Sequence, residues 1–229
     1  MFFGIPSFII LIPALILAGW AQLYVQSTFS RYSNVEASRR ITGAELAANL
    51  LRRGGVSSVR VEQIPGTLTD HYDPRSNVLR LSDPVYASNS VAALGVAAHE
   101  VGHALQHASG YVPLKLRNSI VPVANFGSTA SFPLILLGLL LGLPKLAFIG
   151  VVVFSAVVLF QIVTLPVEFN ASHRAVALLE SGGYLTSQEI PMVRKVLGAA
   201  ALTYVAAALV SFLNLLRLLW IIGIFGRDE

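Results

Sequence analysis

The sequence predicts a mainly α membrane protein, with about four transmembrane helices and one small α+β domain set between them. Three observations predict it. Of the 229 residues, 55% are apolar and only 12% charged, about half the charge of an ordinary soluble domain. Mean hydropathy is +0.69. Four apolar stretches reach the ~20 residues that a helix needs to cross a bilayer. The length suits a single domain, 1–229, rather than several.

The first stretch covers about 3–25. A cleaved signal peptide is the rival reading, but no basic region precedes it and no small-x-small site follows. The second covers about 119–143 and is diluted in its first half by Asn125, Ser128, Thr129 and Ser131. The third covers about 146–165, and Gly142 to Lys145 makes a tight hairpin between the two. The fourth covers about 196–225 and is longer than a crossing needs.

Four spans put both termini on one face and the segments 27–118 and 167–195 on the other. That second face carries Arg31, Arg39, Arg40, Lys115, Arg117, Arg174, Arg194 and Lys195; the first carries Lys145 and Arg227. The positive-inside rule therefore assigns the larger segments to the cytoplasm, in a multi-pass protein of the cell's inner or plasma membrane. The formal charge of +4 and the pI of 9.6 follow from these flanking residues. They call for the lipid bilayer as a partner and for no nucleic acid.

Segment 27–118 is the soluble part. Thr42 starts a helix with Glu45 at the capping-box position, and Gly54-Gly55 ends it. Ser57 to Gln63 alternates as a strand. Pro65-Gly66 is a turn. Asp73-Pro74-Arg75-Ser76-Asn77 turns between Thr67–Tyr72 and Val78–Leu81, giving a sheet of about three strands. Asn89 or Ser90 then caps a helix from Val91 to about Ala108, stopped by Gly110.

That helix contains His99-Glu100-Val101-Gly102-His103. Histidines at i and i+4 lie one turn apart on one face. Both imidazoles reach one zinc ion at about 2.0–2.1 Å. Glu100, beside the first, is placed to take a proton from an activated water. With 5 His, fewer than ~1% of shufflings of this composition contain the pattern, so it points to chemistry rather than to a merely structural helix.

A catalytic zinc site needs a third protein ligand. There is no cysteine, so that ligand is His or a carboxylate. The candidates are His71, His107, His173, Glu168, Glu180, Glu189 and the acids of 27–118. Glu168 stands out at the end of the third span, in Pro166-Val167-Glu168-Phe169-Asn170-Ala171-Ser172-His173-Arg174. A carboxylate there is costly unless paired or metal-bound; a solvated interfacial Glu is the alternative.

The stretches HEVGHALQ and LPVEFNASHRA, with four spans around them, resemble the YugP-like family of neutral zinc metallopeptidases of bacterial membranes. The resemblance covers essentially the whole chain. More distantly the chain is similar to gluzincins of the HtpX and CAAX prenyl protease type. The resemblance implies a zincin-like cytoplasmic domain, one Zn2+ held by His99, His103 and Glu168, and Glu100 as general base. Its implied substrates are peptides or proteins, including membrane-associated ones. The gluzincin pattern has an Asp three or four positions after the ligand Glu to orient a histidine. Ser172 stands there instead, an uncharged and weaker acceptor.

Other residues are weaker candidates. His107 is one turn beyond His103 and either swings toward the metal or binds a carbonyl at the helix end, the latter being the expectation. His173 and Arg174 are candidates for stabilising an oxyanion. His71 is expected to be structural. In zincins an edge strand binds the substrate backbone by strand addition; strand 77–81, just before the motif helix, is the candidate here. Arg217, inside the fourth span with Asn214 one turn earlier, is expected to snorkel. Two other functions remain open: a zinc-binding membrane scaffold without turnover, and a site-2-type intramembrane protease. The latter is disfavoured by the polar flanks of the motif helix and by the lack of a later Asp-Gly.

Overall fold

A computed structural model of the chain describes residues 6–225. Helices α1 (Pro6–Ile9), α2 (Ile12–Ser33) and α3 (Gly43–Arg53) come first. Strands β1 (Arg60–Ile64), β2 (His71–Asp73) and β3 (Val78–Ser82) follow. The remainder is helical: α4 (Asp83–Tyr86), α5 (Val91–Ala108), α6 (Val112–Leu140), α7 (Pro144–Ser181) and α8 (Ile190–Phe225). The chain divides into two compact units. One joins Gln22–Leu114 to Pro166–Leu202; the other joins Met1–Ala21, Lys115–Leu165 and Thr203–Glu229.

The first unit holds the sheet and the motif helix. Thr42 caps α3 as its sequence predicts: its hydroxyl accepts from the Glu45 N–H, and the Glu45 carboxylate accepts from the Thr42 N–H. Ser90 caps α5, accepting from the Ala93 N–H at 3.2 Å. The C-terminal stop of α5 is Gly110, at φ +66°. Leu46, Leu50, Leu79, Leu81, Leu94 and Val101 are fully buried in one core. Each such side chain contributes roughly 1.5–3 kcal/mol. The α5 helix is buried on nearly every side, with Ala and Gly at most buried positions, so neighbouring segments approach it closely.

The three strands form, but their order is β1-β3-β2, with β3 parallel to β1 and antiparallel to β2. Strand 77–81 is therefore the central strand, paired on both sides, and not the edge strand that backbone addition requires. Its burial agrees with that interior position: four of the five β3 residues are buried, as for a strand covered on both faces.

The second unit is helical. Among the described residues, three helices are long and apolar enough to cross a membrane: Val112–Leu140, Pro144–Ser181 and Ile190–Gly223. The expected first span, 3–25, begins outside the described residues. Within them it is split at residues 10–11 into α1 and α2. Pro13 is the cause, because it has no N–H to continue the helix back to Ile9. The hairpin between α6 and α7 turns at Gly142, φ +62°. Gly127 lets these helices close together, since a Cβ there would stand 2.7 Å from the Val153 carbonyl oxygen. The α7 helix does not stop at 165. Its 38 residues make ~57 Å of helix against ~30 Å of hydrocarbon, so roughly half serves something other than a crossing.

Candidate metal centre

All the site residues belong to the first unit. The α5 helix supplies His99 and His103, and the last part of α7 supplies Glu168. Gly102 brings these helices together. A Cβ at that position would lie 2.7 Å from the Ala171 carbonyl oxygen and 3.2 Å from its Cα. Only glycine permits that approach, and it sits inside the motif, between Val101 and His103.

His99 Nε2 lies 3.3 Å and His103 Nε2 lies 3.6 Å from the same oxygen, Glu168 Oε2. The three donor atoms fall within 4.8 Å of one another. Donors at about 2.1 Å from a tetrahedral zinc stand about 3.4 Å apart, so the observed separations match the edges of such a site. Two histidines and a glutamate, with one position left for water, are the donor set of a catalytic zinc. The imidazoles meet edge to face, with centroids 4.7 Å apart. Glu168 is 2% exposed and Glu100 7%. Burial disfavours the charged form of His103, but Glu168 and Glu100 outweigh it and raise its pKa above the ordinary 6.5. The Glu100 carboxylate thus acts on the site it adjoins.

Both histidines are held from behind. Ser172 Oγ lies 3.2 Å from His99 Nδ1, one turn after Glu168 on the same helix face. The other support is a residue the sequence reading missed. Gln106 is fully buried. Its amide nitrogen donates to the Val167 carbonyl at 2.8 Å and to Asn170 Oδ1 at 2.9 Å. Both amide protons are thereby used, and Gln106 Oε1 faces His103 Nδ1 at 3.0 Å. An oxygen there can only accept, so the His103 proton is on Nδ1 and the Nε2 lone pair faces Glu168. The signal was available: Gln106 follows His103 by three positions and shares its face.

The weaker candidates separate. Arg174 Nε donates to Asn170 Oδ1 at 2.8 Å, joining the Gln106 network, and its guanidinium stacks 5.9 Å from the Tyr111 ring. His173 is exposed, about 140° around α7 from Glu168. His107 takes neither expected partner: its Nδ1 meets the Tyr72 hydroxyl at 2.9 Å and ties α5 to β2. His71, the first residue of β2, donates from Nδ1 to the carbonyl of Thr69 in the preceding loop at 2.8 Å. The rival acids are engaged elsewhere. Glu180 pairs with Arg194 at 3.8 Å. Glu189 accepts from the backbone and hydroxyls of Ser38 and Thr186.

A family model described as "Putative neutral zinc metallopeptidase" matches residues 7–223. The chain is similar to a Bacillus subtilis (strain 168) protein described as "Putative membrane protease YugP". Identity is 54% over 218 residues, covering 95% of this chain and 96% of that one. No solved structure matches.

Proposed function

The chain belongs to the "Putative neutral zinc metallopeptidase" family, and from that premise we propose that it is a zinc-dependent endopeptidase cleaving peptide bonds at the cytoplasmic face of the membrane. The observation that carries the reading is the convergence of His99 Nε2 and His103 Nε2 on one oxygen of a buried glutamate, with Glu100 alongside.

Zinc held there supplies a Lewis acid that acidifies water and polarises a carbonyl. The chain's own residues do the rest. Glu100 takes the proton from the attacking water and returns it to the leaving amine. Gln106 and Ser172 keep the two imidazoles aimed, and the burial of Glu168 keeps competing water from its carboxylate. Arg174, tethered through Asn170, is the side chain we assign to the oxyanion, in preference to the exposed His173. Four membrane spans, the first within 3–25, and the basic residues beside them orient the site inward. The substrates are unfolded or membrane-associated polypeptides.

One comparison tests this: bound zinc and cleavage of an unfolded protein in wild type, Glu100→Gln and Glu168→Ala. The reading expects zinc retained and cleavage lost in Glu100→Gln, and zinc lost in Glu168→Ala. Normal cleavage by Glu100→Gln overturns the mechanism. A wild type that binds zinc but never cleaves would make the protein a scaffold. Full zinc in Glu168→Ala removes that residue from the ligand set.

A further inference from the structure

The helical unit contains a charge that the proposed peptidase reaction does not use. Arg217 lies inside α8, about two turns before its last described residue. Its Nη1 donates to Asn214 Oδ1 at 2.9 Å, and its Cζ stands 3.9 Å over the ring of Phe8. Its Nε is buried and has no hydrogen-bond partner among the described residues. The described residues of this unit include no Asp or Glu. The two acids that the sequence adds to it, Asp228 and Glu229, lie outside them. A cation within a span is costly without an anion.

A cavity of about 230 Å³ adjoins it. Arg217, Asn214, Ser128 and Ser131 give it one polar region. Phe132, Ile135, Leu136, Leu139, Phe154 and Ile222 are among its apolar walls. With Nη1 on Asn214, the Nε–Nη2 edge remains, which is the edge a guanidinium uses to grip an oxyanion through two parallel bonds. A charged head joined to an apolar tail fits both regions at once. The surrounding bilayer offers such molecules at the depth a snorkelling arginine reaches.

We propose that this cavity binds one anionic phospholipid, with its phosphate on the Nε–Nη2 edge of Arg217 and the upper part of one acyl chain against Ile135, Leu139 and Ile222. The site is independent of the zinc centre and of any peptidase activity.

The test is native mass spectrometry of the full chain in detergent, titrated with phosphatidylglycerol, uncharged monoolein, oleate and inorganic phosphate. Wild type retains one phosphatidylglycerol. Arg217→Gln, which removes the grip, weakens retention by about tenfold or more. Leu136→Trp, which fills the cavity and keeps the charge, does the same. Arg217→Lys, with charge but no fork, falls between. Helix content and thermal midpoint at wild-type values show that the variants are folded. Unchanged retention in both Arg217→Gln and Leu136→Trp overturns the proposal, as does equal retention of monoolein. Displacement by oleate at lower concentration makes the occupant a fatty acid and overturns the phospholipid assignment. Displacement by inorganic phosphate alone removes the acyl chain from it. Uptake only after Asp228→Asn with Glu229→Gln makes the chain's own end the occupant and overturns it too.

Discussion

Gln106 Oε1 accepts the Nδ1 proton of His103 at 3.0 Å while its amide nitrogen is fixed on Val167 and Asn170 of α7. One buried amide therefore sets the tautomer of a histidine on its own helix and ties that helix to the one bearing Glu168. Gln106→Leu keeps the bulk and loses both functions. Zinc affinity falls about 10–100-fold, measured by competition with a chromogenic chelator. Gln106→Glu, which still accepts from Nδ1, retains more of that affinity than Gln106→Leu.

Ser172 is the second test of support from behind. Ser172→Ala removes the acceptor beside His99 Nδ1 and weakens zinc binding by about tenfold. Ser172→Asp supplies a charged acceptor and tightens it relative to wild type. Equal affinities in all three proteins would show that this contact does not orient His99.

Gly102→Ala tests the close approach of α5 and α7. The added methyl meets the backbone of Ala171, which cannot move aside as a side chain can. The helices separate, destabilising the fold by about 1–3 kcal/mol and lowering zinc occupancy. The thermal midpoint and metal content should fall together.

Zinc loading should depend on pH in a defined direction. Burial alone would lower the pKa of His103, but Glu168 and Glu100 leave it above 6.5. A raised pKa means that the proton competes with metal from the neutral side, so affinity begins to fall above pH 6.5 and continues downward. Glu100→Gln removes one of the raising charges, and its loss of zinc should begin at lower pH than in wild type. Isothermal titration at stepped pH measures both curves.

His107→Ala should leave zinc stoichiometry unchanged. It breaks the hydrogen bond to Tyr72 and costs about 0.5–1.5 kcal/mol of stability, visible as a lower midpoint in urea with bound metal unaltered.

What could be read from sequence was what is local. The Thr42–Glu45 box, the Ser90 cap and the bounds of α5 depend on residues three or four apart, and all three form. The strand order did not follow from sequence, because β1 pairs with β3 past the intervening β2 and no short-range pattern encodes that choice. The span break at 10–11 was legible in Pro13 but hidden by the uniform apolarity around it. Gln106 escaped notice because it neither titrates nor binds metal, so a search for ligands and bases passes over it. Helical phase separates Ser172, in register with Glu168, from His173, which is not.

The three candidate metal donors come from two helices that are distant in the sequence, and the glycine contact between them exists only when both are made. During synthesis, α5 leaves the ribosome well before α7 does. A growing chain therefore carries His99 and His103 before Glu168 is there to complete the donor set. The set is complete only once α7, the second arm of the α6–α7 hairpin, has been made. The order of synthesis therefore sets the order in which the donor set assembles, with the carboxylate of Glu168 joining the two imidazoles last.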